Sequence, residues 1–143
     1  MRALHFDGAS ARVVARPEPE PSDDMAVLHV HTAGVCNTDL EIAKGYMGFR
    51  GVLGHEVAGE VVAGPEPWRG QRVVAEINFA CASERCAFCA RGLGRHCPAR
   101  RVMGIVDADG AFAERVAVPV AHLHAVPAEV PDDEAVFAEP LAA

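Results

Sequence analysis

The chain has 143 residues, 50% apolar and 23% charged, a balance that excludes a disordered segment and suits a single domain. Thirteen basic against 20 acidic residues give a net charge of −7, which argues against a general nucleic-acid or anionic-membrane binder. Aromatic residues make up only 6%, so the core must come mainly from Val, Ala, Leu and Ile, and no apolar run approaches the roughly 18 residues of a membrane span.

In chain order, Val-rich runs punctuated by 13 Gly and 10 Pro predict short strands. They fall at Arg2–Phe6, Arg12–Ala15, Val27–Thr32, Glu56–Val62, Arg72–Glu76, Glu114–Val118 and His122–Val126. Pro17-Glu18-Pro19-Glu20-Pro21 reads as an extended loop, because each Pro fixes its own φ and bars its predecessor from the helical region. One helix is predicted from Asn37 to Lys44, stopped by Gly45. A second begins near Pro131-Asp132-Asp133-Glu134, with Pro at its start and acids facing the helix dipole, and Pro140 interrupts it. Met1 to Phe6 lacks the charged and apolar regions of a signal peptide, so reduced thiols and a cytoplasmic location are expected.

Between Phe79 and Arg101 the apolar period disappears, and this stretch carries Cys81, Cys86, Cys89 and Cys97 at intervals x4, x2 and x7. Four thiolates within 17 residues suit a tetrahedral structural zinc site, against the plainer alternative of free thiols. Gly92 and Gly94 free the backbone to bring Cys97 back. Arg85, Arg91, Arg95, Arg100 and Arg101 lie in the same lobe. An Arg-rich lobe can contact nucleic acid, but the net charge and the lack of interleaved aromatics favour a solvated surface, so no nucleic-acid partner is expected.

A second constellation starts at Gly34-Val35-Cys36-Asn37-Thr38-Asp39, continues at Gly54-His55-Glu56 and closes with Glu139-Pro140-Leu141. Cys, His and carboxylate are the ligand types of catalytic zinc, which keeps one position open and polarises a substrate oxygen. Taken singly, each residue has an ordinary reading: a small core Cys, a surface His-Glu pair. His29 with His31, and His122 with His124, share strand faces at period two; such pairs can chelate a metal and more often form a polar outer face.

The order of these motifs resembles the N-terminal catalytic domain of the zinc-dependent medium-chain dehydrogenases/reductases, the alcohol/polyol dehydrogenase family. Trp68-Arg69-Gly70-Gln71-Arg72-Val73 and Gly110-Ala111-Phe112-Ala113-Glu114 add local matches, and the resemblance spans essentially the whole chain. It implies a mostly β fold, a GroES-like partly open β-barrel with short helices and an inserted zinc lobe at about 79–101, and two zinc ions. Carried over, Cys36 and His55 are catalytic-zinc ligands. Glu56 is a further ligand or a close carboxylate, and Glu139 binds directly or through water, as in the Glu-bearing polyol, threonine and glucose dehydrogenase branches. Thr38 begins the proton relay and Asp39 orients His55 through its other ring nitrogen. Asn37 meets the cofactor phosphates, while Tyr46, Met47 and Phe49 line the substrate cleft.

Two features depart from the family's pattern. Its usual first structural-zinc interval is x2, not x4, and no Gly-x-Gly-x-x-Gly follows a strand here, so the Rossmann domain is expected to be absent from residues 1–143. The expected function is oxidation of a small alcohol or polyol, with hydride passing to NAD or NADP held by that missing domain. The fragment alone is then inactive, and the complete enzyme is a candidate homo-oligomer. The rival expectation is a stand-alone, non-catalytic zinc-binding or interaction module.

Overall fold

The computed structural model describes residues 1–143. Eleven strands alternate with short helical turns: β1 (Arg2–Phe6), β2 (Ala11–Ala15), β3 (Met25–Gly34), β4 (Gly51–Val52), β5 (Glu56–Ala63), β6 (Arg72–Ala75), β7 (Asn78–Phe79), β8 (Arg101–Met103), β9 (Asp107–Ala108), β10 (Arg115–Pro119) and β11 (Leu123–Ala125). Three helices, α1 (Asn37–Ala43), α2 (Asp132–Ala135) and α3 (Ala138–Ala142), complete the fold. The strands form sheets ordered β2-β1-β4, β10-β3-β5-β6-β11 and β7-β8-β9, which curl into a half-open barrel. No helix is long and apolar enough to cross a membrane.

Alternation along the central sheet explains the core. Val57, Val61, Val73, Val116 and Val118 turn inward with Leu28, Phe79, Met103 and Leu123, all less than a tenth exposed. Phe6, Ile42, Phe49 and Leu53 form a smaller apolar cluster that seats α1 on the β1–β4 pair. Ala135 and Val136 pack on Ala58 of β5 and dock the C-terminal helices on the outer side of the sheet.

All seven predicted strands are present, Arg2–Phe6 with the same ends and the other six with shifted ones, and four more are too short to show a period: β4, β7, β8 and β9. The second predicted helix breaks at Val136 and Phe137, before Pro140, which lies in the first turn of α3. There its missing N–H forfeits no helical bond. His122 ends a 3-10 turn (Val120–His122) rather than opening a strand, so it does not share a strand face with His124. Its Nδ1 lies 3.0 Å from Glu76 Oε2, and its ring stands edge-on to Phe79.

Candidate metal centres

Cys36 caps α1 with an extended backbone, and its Sγ accepts from the Thr38 N–H at 3.5 Å. Asp39, three residues on, returns the bond: its Oδ2 accepts from Cys36 N at 2.9 Å, closing a capping box. Its Oδ1 accepts from Gly54 N at 3.2 Å, so one buried carboxylate ties the helix start to the residue preceding His55. Glu56 arrives by strand pairing, for it opens β5 opposite Gly34 at the end of β3. A Cβ on Gly34 would stand 1.9 Å from Glu56 Oε2, so only glycine leaves room for this carboxylate.

These links bring together Cys36, His55 and Glu56, with one ligand atom from each lying within 4.8 Å of the others. His55 is 3% exposed, and its Nδ1 has no hydrogen-bond partner: the nearest Asp39 oxygen is 3.5 Å away. A buried polar nitrogen without a partner is costly unless something binds it. Burial opposes charge on His55, but Asp39 and Cys36 prevail and push its pKa up to about 9. The Thr38 hydroxyl and amide lower the Cys36 thiol, as does His55, against the opposing effect of burial. A thiolate-leaning Cys, a buried imidazole and a buried carboxylate match the donor set of a zinc site.

Glu139 lies outside this cluster. It is half-buried on α3 and lines a cavity of ≈ 540 Å³ with Val74, Glu76, Asn78, Arg95 and His124. Burial raises its pKa; the His55 charge opposes that rise, while Glu56 and Glu76 add to it. Sequence reasoning passed over Glu76, whose Oε1 accepts from the backbone and side-chain amides of Asn78, both at 2.8 Å. Its position just past β6, near three other ionisable groups, is visible only in the fold. Thr38 Oγ1 stands 3.5 Å from Cys36 Sγ, and Asn37 is exposed at the first position of α1. Tyr46 and Met47 are more than half exposed, whereas Phe49 is 6% exposed and packs beneath α1. Phe49 therefore supports the helix from the core instead of presenting its ring to a cleft.

The four-cysteine lobe is a separate cluster. Cys81 Sγ lies 3.6 Å from Cys89 Sγ, and Cys86 Sγ lies 3.9 Å from Cys97 Sγ. A tetrahedron with Zn–S bonds of ~2.3 Å has edges of ~3.8 Å, so the thiols already have the spacing zinc requires. Amides of Cys89 and Phe88 draw the Cys86 pKa down to about 7. Burial and the surrounding thiols push Cys89 up to about 12. The longer first interval is absorbed at Ala82, which adopts φ +52. The x4 spacing thus still brings all four sulfurs together.

Residues 22–128 match the family described as "Alcohol dehydrogenase GroES-like domain". A Mycobacterium tuberculosis protein named "Probable alcohol dehydrogenase AdhA" is 39% identical over 89% of this chain and 39% of its own length. The D-altritol 5-dehydrogenase of Agrobacterium fabrum is 34% identical over 99% of this chain and 44% of its own. Among solved structures, a short chain alcohol dehydrogenase from Escherichia coli, complexed with NADH, superposes with a TM-score of 0.89 at 30% identity. That superposition covers 98% of this chain and 42% of the E. coli protein. The chain thus spans about two fifths of the length of the curated relatives it matches. With both cysteine-bearing clusters formed on this fold, the chain belongs to the zinc-dependent medium-chain dehydrogenase/reductase family, whose GroES-like alcohol dehydrogenase domain it carries.

Proposed function

We propose that this chain is the zinc- and substrate-binding part of an NAD(P)-dependent alcohol or polyol dehydrogenase. The observation that carries the reading is the convergence of Cys36, His55 and Glu56, one ligand atom of each lying within 4.8 Å of the others. Cys36 and His55 hold the catalytic zinc, with Glu56 as the nearest carboxylate and Glu139 as a second one supplied by α3. Zinc bound there supplies Lewis-acid polarisation of the substrate oxygen. Asp39 holds the Cys36 and Gly54 amides, and through them keeps the cysteine and histidine in register. The Thr38 hydroxyl takes the proton from the substrate hydroxyl and passes it to solvent. A nicotinamide bound beside this site would supply the hydride acceptor, the alcohol becoming a carbonyl as NAD(P)+ becomes NAD(P)H. We place the nicotinamide on a Rossmann domain outside these residues, in keeping with the NADH-complexed E. coli structure of which this chain covers 42%. Asn37 faces its phosphates, and Tyr46 and Met47 border the substrate. Cys81, Cys86, Cys89 and Cys97 hold a second, structural zinc.

The test is zinc stoichiometry by elemental analysis of protein purified in metal-free buffer. Two equivalents per chain are expected, falling to one in Cys36→Ser. A single equivalent that survives Cys36→Ser would leave only the lobe binding metal and hand the reading to a non-catalytic zinc module. Loss of both equivalents in Cys36→Ser would overturn the assignment of two independent sites.

A further inference from the structure

His29 and His31 stand exposed on β3. His29 pairs across the sheet with Arg115 of β10 and Glu60 of β5. Beyond it the β3–β5 register slips: Val30 faces Gly59 and Thr32 faces Ala58, so His31 is the additional residue of a β-bulge. A bulge re-aims the side chain it carries. The bulge requires Gly59 opposite, where a Cβ would stand 2.3 Å from the His29 carbonyl oxygen. The two imidazoles meet as a result, with centroids 5.5 Å apart and planes at 76°.

One ring is also fixed from behind. His31 Nδ1 lies 2.8 Å from Asp132 Oδ2, at the first position of α2. Asp132 cannot swing away, because its Oδ1 accepts from Arg72 Nε at 3.0 Å and from Arg72 Nη2 at 2.8 Å. In the neutral imidazole the proton therefore sits on Nδ1 and the Nε2 lone pair is left free. A carboxylate behind a histidine, fixing its tautomer and raising the basicity of its other nitrogen, is the usual support of a metal-binding imidazole.

We propose that His29 and His31 form a chelate for a divalent transition ion that prefers imidazole nitrogen, of the nickel, copper and zinc class, with water completing the coordination. The site is independent of the dehydrogenase reading and shares no residue with either cysteine-bearing cluster. Metal on His31 Nε2 strengthens donation from Nδ1 to Asp132, and so ties β3 more firmly to the α2–α3 segment that carries Glu139. Binding to the folded chain alone raises its melting temperature.

The experiment titrates nickel chloride by calorimetry into the chain loaded with two equivalents of zinc and freed of excess, which fill the two cysteine-bearing clusters and leave the histidine pair open. One further equivalent is expected, with a rise in melting temperature. His29→Ala leaves the His31–Asp132 contact in place, so it should keep the nickel-free melting temperature while weakening nickel binding at least tenfold. His124→Ala should leave nickel binding unchanged. The proposal is overturned if the native chain takes up no nickel beyond its zinc. Unaltered affinity in His29→Ala, or transfer of the loss to His124→Ala, overturns it equally.

Discussion

Cys81, Cys86, Cys89 and Cys97 lie within 17 residues of one another, whereas Cys36, His55 and Glu56 come from a helix cap and the start of a strand paired far from it in sequence. The lobe has almost no core of its own: between residues 80 and 100 only Cys97 is buried. The other cluster rests on apolar packing, with Phe6, Ile42, Phe49 and Leu53 under α1 and the Gly34–Glu56 pair closing β3 on β5. The two regions therefore depend on metal in opposite ways. In the lobe the ion substitutes for a hydrophobic core, while the Cys36 cluster is built by the fold before any ion arrives.

Zinc removal should break that comparison most visibly. Structural zinc contributes about 10–16 kcal/mol of binding free energy in small sites. Chelation, or Cys97→Ser, should therefore abolish amide-exchange protection across residues 81–100 while the five-stranded sheet stays protected. Loss of sheet protection at the same chelator concentration would show that the lobe is not a separate unit. Phe49→Ala attacks the other region: it empties the apolar seat of α1 and should cost about 3–5 kcal/mol in denaturant unfolding. Its zinc count should drop at the Cys36 cluster before it drops in the lobe.

Gly34→Ala is a finer probe. Its Cβ would stand 1.9 Å from Glu56 Oε2, so the carboxylate must move, at a cost of about 1–3 kcal/mol. Elemental analysis should find the Cys36-cluster zinc weakened and the lobe zinc intact; equal retention of both would remove Glu56 from the proposed ligand set. The smallest expected effect concerns Asp132. Burial works to raise its pKa, but Arg72 and His31 outweigh it and hold the carboxyl below its ordinary value of 3.8. A depressed carboxylate stabilises the fold above its unfolded pKa, and that contribution is lost as pH falls through the folded one. Acid unfolding of Asp132→Asn should therefore show a shallower loss of stability below about pH 4 than the parent chain.

Much of this was legible because the relevant signals are local. The x4-x2-x7 cysteine intervals marked the lobe, and Val-rich alternation located the long strands such as Glu56–Ala63. Two-residue strands such as Gly51–Val52 left no trace, because a period needs more residues than they have. The break at Val136 and Phe137 was equally hidden. It accompanies the packing of Ala135 and Val136 on Ala58, and Pro140, the visible helix breaker, lies past it.

Residue chemistry and spacing by themselves determined a mostly β domain, a thiolate cage and the identity of Cys36 and His55 as candidate ligands. The four cysteines lie close enough in the chain for local geometry to gather them, whereas Cys36 and His55 are named by residue type and meet only through the fold. Only the tertiary structure decided that Glu56, and not Glu139, shares the 4.8 Å cluster with them, that Phe49 belongs to the core, and that a bulge turns His31 towards His29 and Asp132. Those outcomes depend on strand register and on which glycines let two backbones approach. Such contacts join residues distant in sequence, where no local spacing carries the information.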